Sequence, residues 1–181
     1  MAHGTPAVIA ASGPKRIEKD TKMTIQKLMT TAATATLIAA ATTAAADDKT
    51  SVAVFYELLS NPGSSELAED FKDVTLENWE SIGNYTGDNK TRDAFLGQMG
   101  GFAQLMPDLD WAVQAMHQDG NVITVRSRAT GTPVAPFFGV DGEGRSFDIL
   151  AIDIHELEDG KIARTYHVED WATALQQLSG K

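Results

Sequence analysis

The spacing of apolar positions changes midway along the chain. In "TSVAVFYELLS", residues 50–60, Val52, Phe55, Tyr56, Leu58 and Leu59 recur at helical intervals, and Asn61-Pro62-Gly63 ends the run. Ser64 or Ser65 then caps "SELAEDFKDVT", whose first turn is acidic, as a helix dipole prefers. "LENWESIGNYTGDN" reads as irregular and rich in turn formers. "KTRDAFLGQMGGFAQLMP" places Phe95, Leu96, Met99, Phe102, Leu105 and Met106 at helical spacing up to Pro107, although Gly97, Gly100 and Gly101 weaken that helix. Downstream the period becomes two. "LDWAVQAMHQDGNVITVRSRATG" predicts two strands around Asp119-Gly120, and "RSFDILAIDIHELEDGKIARTYHVE" two more around Asp159-Gly160. "DWATALQQLSG" closes the chain as a short helix or arm. Helices followed by a run of antiparallel strands predict an α+β domain, with amino-terminal helices covering one face of a curved antiparallel sheet.

The first 46 residues follow neither pattern. From Met23, "MTIQKLMTTAATATLIAAATTAAADD" has a basic start at Lys27, an Ala/Thr/Leu/Ile stretch and then Ala44-Ala45-Ala46. That is the order of a signal peptide, with Met23 as the start codon and cleavage after Ala46. The apolar run is too short and too polar for a membrane span. The expected organisation is an upstream extension and signal peptide over 1–46 and one domain over 47–181, periplasmic or secreted and not embedded in a membrane once mature.

Composition narrows the function. The 181 residues carry 15 Lys+Arg against 25 Asp+Glu. Removing residues 1–46 takes away five basic and two acidic residues, leaving 10 positive and 23 negative charges. A nucleic-acid partner, which needs a basic footprint, is not expected. With no cysteine, thiolate catalysis and cysteine metal sites are excluded.

The second hairpin holds the candidate chemistry. Asp153 and His155 interrupt an isoleucine run, and His167 lies on the other arm. A two-residue loop at Asp159-Gly160 pairs Glu158 with Lys161, sets Asp153 against Tyr166 and turns His167 to the opposite face. A three-residue loop with Gly160 in the left-handed region pairs Leu157 with Lys161 and Asp153 with Thr165. All three polar residues then share a face, because opposed residues point the same way. The small residues Ala151, Ala163 and Thr165 would surround them and favour this second register. The other face would collect Leu150, Ile152, Ile154, Ile162, Tyr166 and Val168, which predicts a homodimer through that face.

A buried imidazole beside a carboxylate is a general base with its orienting partner. His167 is expected as the base, Asp153 as its partner and His155 as a secondary polar group. A satisfied structural pair is the alternative reading of the same residues. The three could also make a two-histidine, one-carboxylate metal set, but the spacing is loose and neither metal nor cofactor is expected. No G-x-S-x-G elbow or phosphate loop is present. His117, next to the first turn, should face solvent, as should Arg126 and Arg128. Trp79 and Trp171, in irregular or terminal segments, join Phe102 and Met106 as expected walls of an apolar cleft for a small hydrophobic molecule.

Residues 131–178, "GTPVAPFFGVDGEGRSFDILAIDIHELEDGKIARTYHVEDWATALQQL", resemble the carboxy-terminal half of the SnoaL-like polyketide cyclases, or ester cyclases, of the NTF2-like superfamily. Gly131-Thr132, Phe138-Gly139, Gly144-Arg145, Ile152-Asp153-Ile154 and Glu158-Asp159-Gly160-Lys161-Ile162 carry the likeness, and "FYELLSNPGSSELAEDFKDVTLENW" resembles the family's opening helices. The resemblance implies a cone-shaped α+β fold, usually dimeric, with a pocket between sheet and helices. It also implies cofactor-free aldol-type cyclisation by proton abstraction from carbon. The family's last-strand aspartate matches His167, and its paired histidine matches Asp153, so acid and imidazole stand exchanged. A non-catalytic periplasmic binder of a hydrophobic small molecule is the alternative function.

Overall fold

The structure, a computed structural model, describes residues 48–180 together with Met1. The chain divides into units of residues 1–42 and 43–181, and every element below lies in the second. The export segment and its cleavage point lie outside the described residues. No helix among the described residues is long and apolar enough to cross a membrane.

Helix α1 is described over 48–60. It buries Val52, Phe55, Tyr56, Leu58 and Leu59, the stripe that its spacing predicts. Helix α2 spans Ser65–Val74, with Ser64 as the N-cap accepting from the Leu67 amide. Helix α3 spans Arg92–Leu105 behind the N-cap Thr91. Its glycines at 97, 100 and 101 face open space, while Phe95 and Met99 face the core, so the helix survives its weak residues on one buried side. Helix α4 spans Trp171–Leu178, capped by Asp170.

The strands are β1 (Thr75–Ile82), β2 (Lys90–Thr91), β3 (Asp110–Asp119), β4 (Val122–Gly131), β5 (Phe147–Glu158) and β6 (Lys161–Glu169). They form one sheet in the order β2-β1-β6-β5-β4-β3. The sheet is mixed, because β1 runs parallel to β6 while every other pair is antiparallel. The sequence reading of an irregular segment at 76–89 is therefore corrected, since all of "LENWESI" is strand. Its register shifts between Thr75 and Glu80, which breaks the alternation by which a strand is recognised.

The β5–β6 hairpin closes differently from the expected three-residue loop. Glu158 pairs with Lys161 across a two-residue turn, with Asp159 at φ 50° and Gly160 at φ 78°. Two positive φ values in succession make the type I′ turn favoured by Asp-Gly. That turn alone would carry His167 to the outer face. Past the turn, however, Leu157 opposes Ile162 and Glu156 opposes Arg164, leaving Ala163 as the extra residue of a β-bulge. The bulge adds one residue of offset to the one that the two-residue turn introduces, two in all from the expected register. Asp153 thus opposes His167, not Thr165, and His155 opposes Thr165, not Ala163. The three polar residues share the inner face as expected, by a bulge at Ala163, three residues from Gly160 where it was sought.

The helices pack on this inner face, where Phe71, Trp79, Ile123, Val125, Ile149 and Leu178 belong to one core. The outer face leaves Leu150, Ile152, Ile154 and Val168 at 50%, 43%, 39% and 71% exposure. Ile162, expected beside them, is fully buried, because it pairs with core-facing Leu157 on the turn side of the bulge. His117, Arg126 and Arg128 are exposed as predicted.

Candidate active site

Between the inner face and the helices lies a cavity of about 700 Å³, its open mouth included. Phe55 and Leu59 of α1, Phe95, Met99 and Phe102 of α3, and Met106, Leu109 and Trp111 beyond it form apolar walls. Trp171 and Phe138 complete them. Phe138 is 68% exposed and held at φ 46°, with its ring 6.3 Å from that of Trp171. Six polar residues converge on this surface: Ser81, Lys90, Gln98, Asp153, His167 and Glu169. Of the four expected wall residues, Phe102, Met106 and Trp171 stand there. Trp79 does not. It is 1% exposed inside an aromatic cluster with Phe71 and Phe95, and its indole donates to Thr165 Oγ1 at 3.1 Å.

Asp153 is the buried ionisable member of the polar set. Strand alternation turns it inward between exposed Ile152 and Ile154. Tyr56 of α1 donates its hydroxyl to Oδ2 at 2.7 Å. Burial pushes the Asp153 carboxyl up to about 7; the Tyr56 hydrogen bond opposes that, the Glu169 charge adds to it, and His167 opposes it. Burial and the neighbouring carboxylate push the Tyr56 hydroxyl far above its ordinary range, so it remains a donor. Oδ1 of Asp153 has no hydrogen-bond partner among the described residues and is not sealed from solvent, which leaves it as the oxygen open to the cavity.

His167 faces Asp153 directly across the β5–β6 ladder, a relation that sets Cβ atoms about 5 Å apart. Its hydrogen-bond partner is nevertheless Glu169, whose Oε1 lies 2.8 Å from Nδ1, and not Asp153 as expected. Glu169 is two residues further along β6, so the strand's period of two sets both side chains on the cavity side. An ionised carboxylate only accepts, so Nδ1 carries the hydrogen and Nε2 of the neutral ring keeps a lone pair. Gly83, just past the end of β1, makes room for this ring: a Cβ there would lie 2.9 Å from Nε2. Lys90 opposes Ser81 across β1–β2 and so shares its inward face. Burial lowers the Lys90 ammonium and the Glu169 charge raises it, burial being the larger influence.

His155 is corrected from a cavity group to a core group. It is fully buried, with Nε2 3.1 Å from Tyr56 Oη and Nδ1 3.0 Å from Thr165 Oγ1. Burial pushes its imidazole down to about 3, so it is neutral at working pH. With both nitrogens occupied, it does not converge with Asp153 and His167 on a common metal position, and no cluster of metal-binding side chains occurs among the described residues. Sequence reasoning missed Tyr56, Glu169 and Lys90. The alternation in "HVE" could have revealed Glu169. Tyr56 sits within a helical apolar stripe and carried no signal of its own.

A six-stranded mixed sheet with helices on one face and a polar cluster at the foot of an apolar cavity defines an NTF2-like α+β protein. The chain belongs to the SnoaL-like polyketide cyclase family, whose model matches residues 50–178. Among solved structures, IdmH of Streptomyces antibioticus is 24% identical, with a TM-score of 0.63, over 72% of this chain and 97% of that one. TsrD of Streptomyces laurentii is 18% identical, with a TM-score of 0.64, over 75% and 97%. An NTF2-like protein of Burkholderia pseudomallei is 14% identical, with a TM-score of 0.58, over 74% and 98%. At these identities the likeness is one of fold. No curated protein matches the chain.

Proposed function

We propose that this protein carries out cofactor-independent acid/base chemistry, an aldol-type cyclisation or related proton abstraction, on a hydrophobic carbonyl compound. The observation that carries this reading is the pairing of two proton-handling groups on one cavity wall, Asp153 opposite His167. His167, oriented by Glu169, takes a proton from carbon next to a carbonyl through Nε2. Asp153, protonated on its free oxygen, supplies a proton to the oxygen that gains charge. Asp153, raised by burial, then keeps a proton to give up to about neutral pH, beside a base on the same wall. The family supports cyclase-type chemistry, and the apolar walls support a hydrophobic ligand.

The test is hydrogen–deuterium exchange at carbon. Hydrophobic β-keto esters and 1,3-diketones incubated in D2O with the protein should lose their α-proton signal faster than in buffer. H167A and D153N should abolish the acceleration while the compound still binds. Binding with no acceleration by the unmodified protein would instead establish the alternative, a binder that uses the same apolar cavity. That outcome would end the catalytic reading.

A further inference from the structure

The residues that leave the cavity in the folded protein, Trp79 and His155, join Thr165 and Tyr56 behind Asp153. Four buried contacts connect them: indole to threonine at 3.1 Å, threonine to Nδ1 of His155 at 3.0 Å, Nε2 to the Tyr56 hydroxyl at 3.1 Å, and that hydroxyl to Oδ2 at 2.7 Å. Three of these have no direction by distance alone, since hydroxyls and a neutral imidazole can donate or accept. Chemistry supplies it.

An indole N–H only donates, so Trp79 fixes Thr165 Oγ1 as its acceptor. The Thr165 hydroxyl hydrogen then needs an acceptor in a site that is 1% exposed, and Nδ1 of His155 is the one within hydrogen-bond distance among the described residues. An orphaned buried hydroxyl is costly, because it gives up its hydrogen bond to water with nothing in return. Nδ1 therefore accepts, and the hydrogen of the neutral ring lies on Nε2. Nε2–H donates to the tyrosine oxygen, which leaves the tyrosine hydrogen for Asp153. The reverse direction would put a proton on Oδ2, give it to Tyr56, pass Tyr56's hydrogen to Nε2 and Nδ1's to Thr165, and strand the threonine hydrogen.

We infer that Trp79, Thr165, His155 and Tyr56 form a one-way hydrogen-bond chain that holds His155 as its Nε2–H tautomer and reserves Oδ1 of Asp153 as the oxygen on which that carboxyl takes up and gives off a proton. His155 and Thr165 are positioning residues, since neither lines the cavity. The charged and titratable groups facing Asp153 are Tyr56 from α1, His155 from β5, and His167 and Glu169 from β6, with Lys90 across the cavity. The inference deepens the acid/base reading by naming the atom that exchanges the proton, but its test needs no substrate.

The experiment is NMR on protein labelled with ¹⁵N-histidine and ¹³C-aspartate. His155 should show a protonated Nε2 and bare Nδ1, unchanged from pH 5 to 8. Thr165→Val should release the tautomer and raise the Asp153 titration midpoint, because the donor chain that favours the carboxylate is cut. Thr165→Ser should keep the hydroxyl and restore both signals. Tyr56→Phe, which removes the final donor, should raise the midpoint by about one pH unit or more. A His155 that carries hydrogen on Nδ1, or that titrates in this range, would overturn the chain. So would identical Asp153 midpoints in Thr165→Val and Thr165→Ser. If the NMR outcome holds but H167A and D153N leave carbon exchange unchanged, the chain stands and the catalytic proposal alone is lost.

Discussion

At the scale of single residues, the behaviour of the site depends on what surrounds Asp153. Its carboxyl sits at about 7 because burial penalises the charged form more than Tyr56 and His167 favour it. Between the ordinary carboxylate range and 7, the native state therefore holds a proton that the unfolded chain has released. Stability is fully present at the acid end of that window and is lost as pH rises through 7. Asp153→Asn should flatten this dependence and exceed the unmodified protein in stability at pH 8, by an amount on the order of a few kcal/mol, measured by urea unfolding at pH 5 and pH 8. The same titration predicts that carbon exchange falls above pH 7, as the acid loses its proton. His167→Ala should slow exchange by roughly 10²- to 10⁴-fold, the range of a lost general base. Glu169→Gln should cost less, since the amide can still accept from Nδ1–H but no longer stabilises the imidazolium. Gly83→Ala tests placement without touching a polar group. A methyl would lie 2.9 Å from Nε2, so the ring must move, and exchange should fall while a bound carbonyl compound keeps its affinity.

At the scale of elements, the β5–β6 hairpin decides which side chains share the cavity. Its turn holds Asp159 and Gly160 at positive φ, a backbone region that aspartate tolerates and glycine prefers. Gly160→Val should destabilise the fold by about 1 kcal/mol or more, read as a lower midpoint of denaturant unfolding. The bulge at Ala163 absorbs the one residue that the two-residue turn leaves over. Deleting Ala163 would remove only that extra residue, so Glu156 would still oppose Arg164 and Asp153 would still oppose His167. His167 and Glu169 would stay on the cavity side of a regular ladder. The variant should keep its exchange activity, checked by the carbon-exchange assay beside denaturant unfolding; a folded but inactive variant would show that more than the pairing register places His167.

For the whole molecule, the outer sheet face and the amino-terminal segment remain as proposals. Leu150, Ile152, Ile154 and Val168 form an apolar surface that the helices do not cover, since these pack on the other side. A second copy of the chain is the proposed cover, and light scattering at micromolar concentration should give twice the monomer mass. Val168→Lys should shift that mass toward the monomer, while a monomer in the unmodified protein would end the proposal. Export is proposed from the segment beginning at Met23, and amino-terminal sequencing of the native protein should start at Asp47.

The periodicity of the sequence by itself determined much of this protein. The stripe at Val52, Phe55, Leu58 and Leu59, the cap at Ser64 and the alternation from Phe147 to Leu157 are local patterns, readable because burial on one side repeats at a fixed interval. The short motifs around Ile152-Asp153-Ile154 and Glu158-Asp159-Gly160 carried the family resemblance for the same reason. Tertiary structure decided the rest. A bulge at Ala163 has no local signature, because its stability comes from Ile162 and Leu157 meeting in a common core. Likewise, β1 hid behind a register shift, and its place in the sheet comes from pairing with a strand some eighty residues later. Tyr56 reaches Asp153 across a sequence separation of 97, so nothing near either residue announces the contact. The same long-range packing sealed His155 and Trp79 into the core and left His167 with Glu169. Side-chain chemistry is written in the sequence, but which groups lose their water, and so change their acidity and their partners, is settled when distant elements close over them.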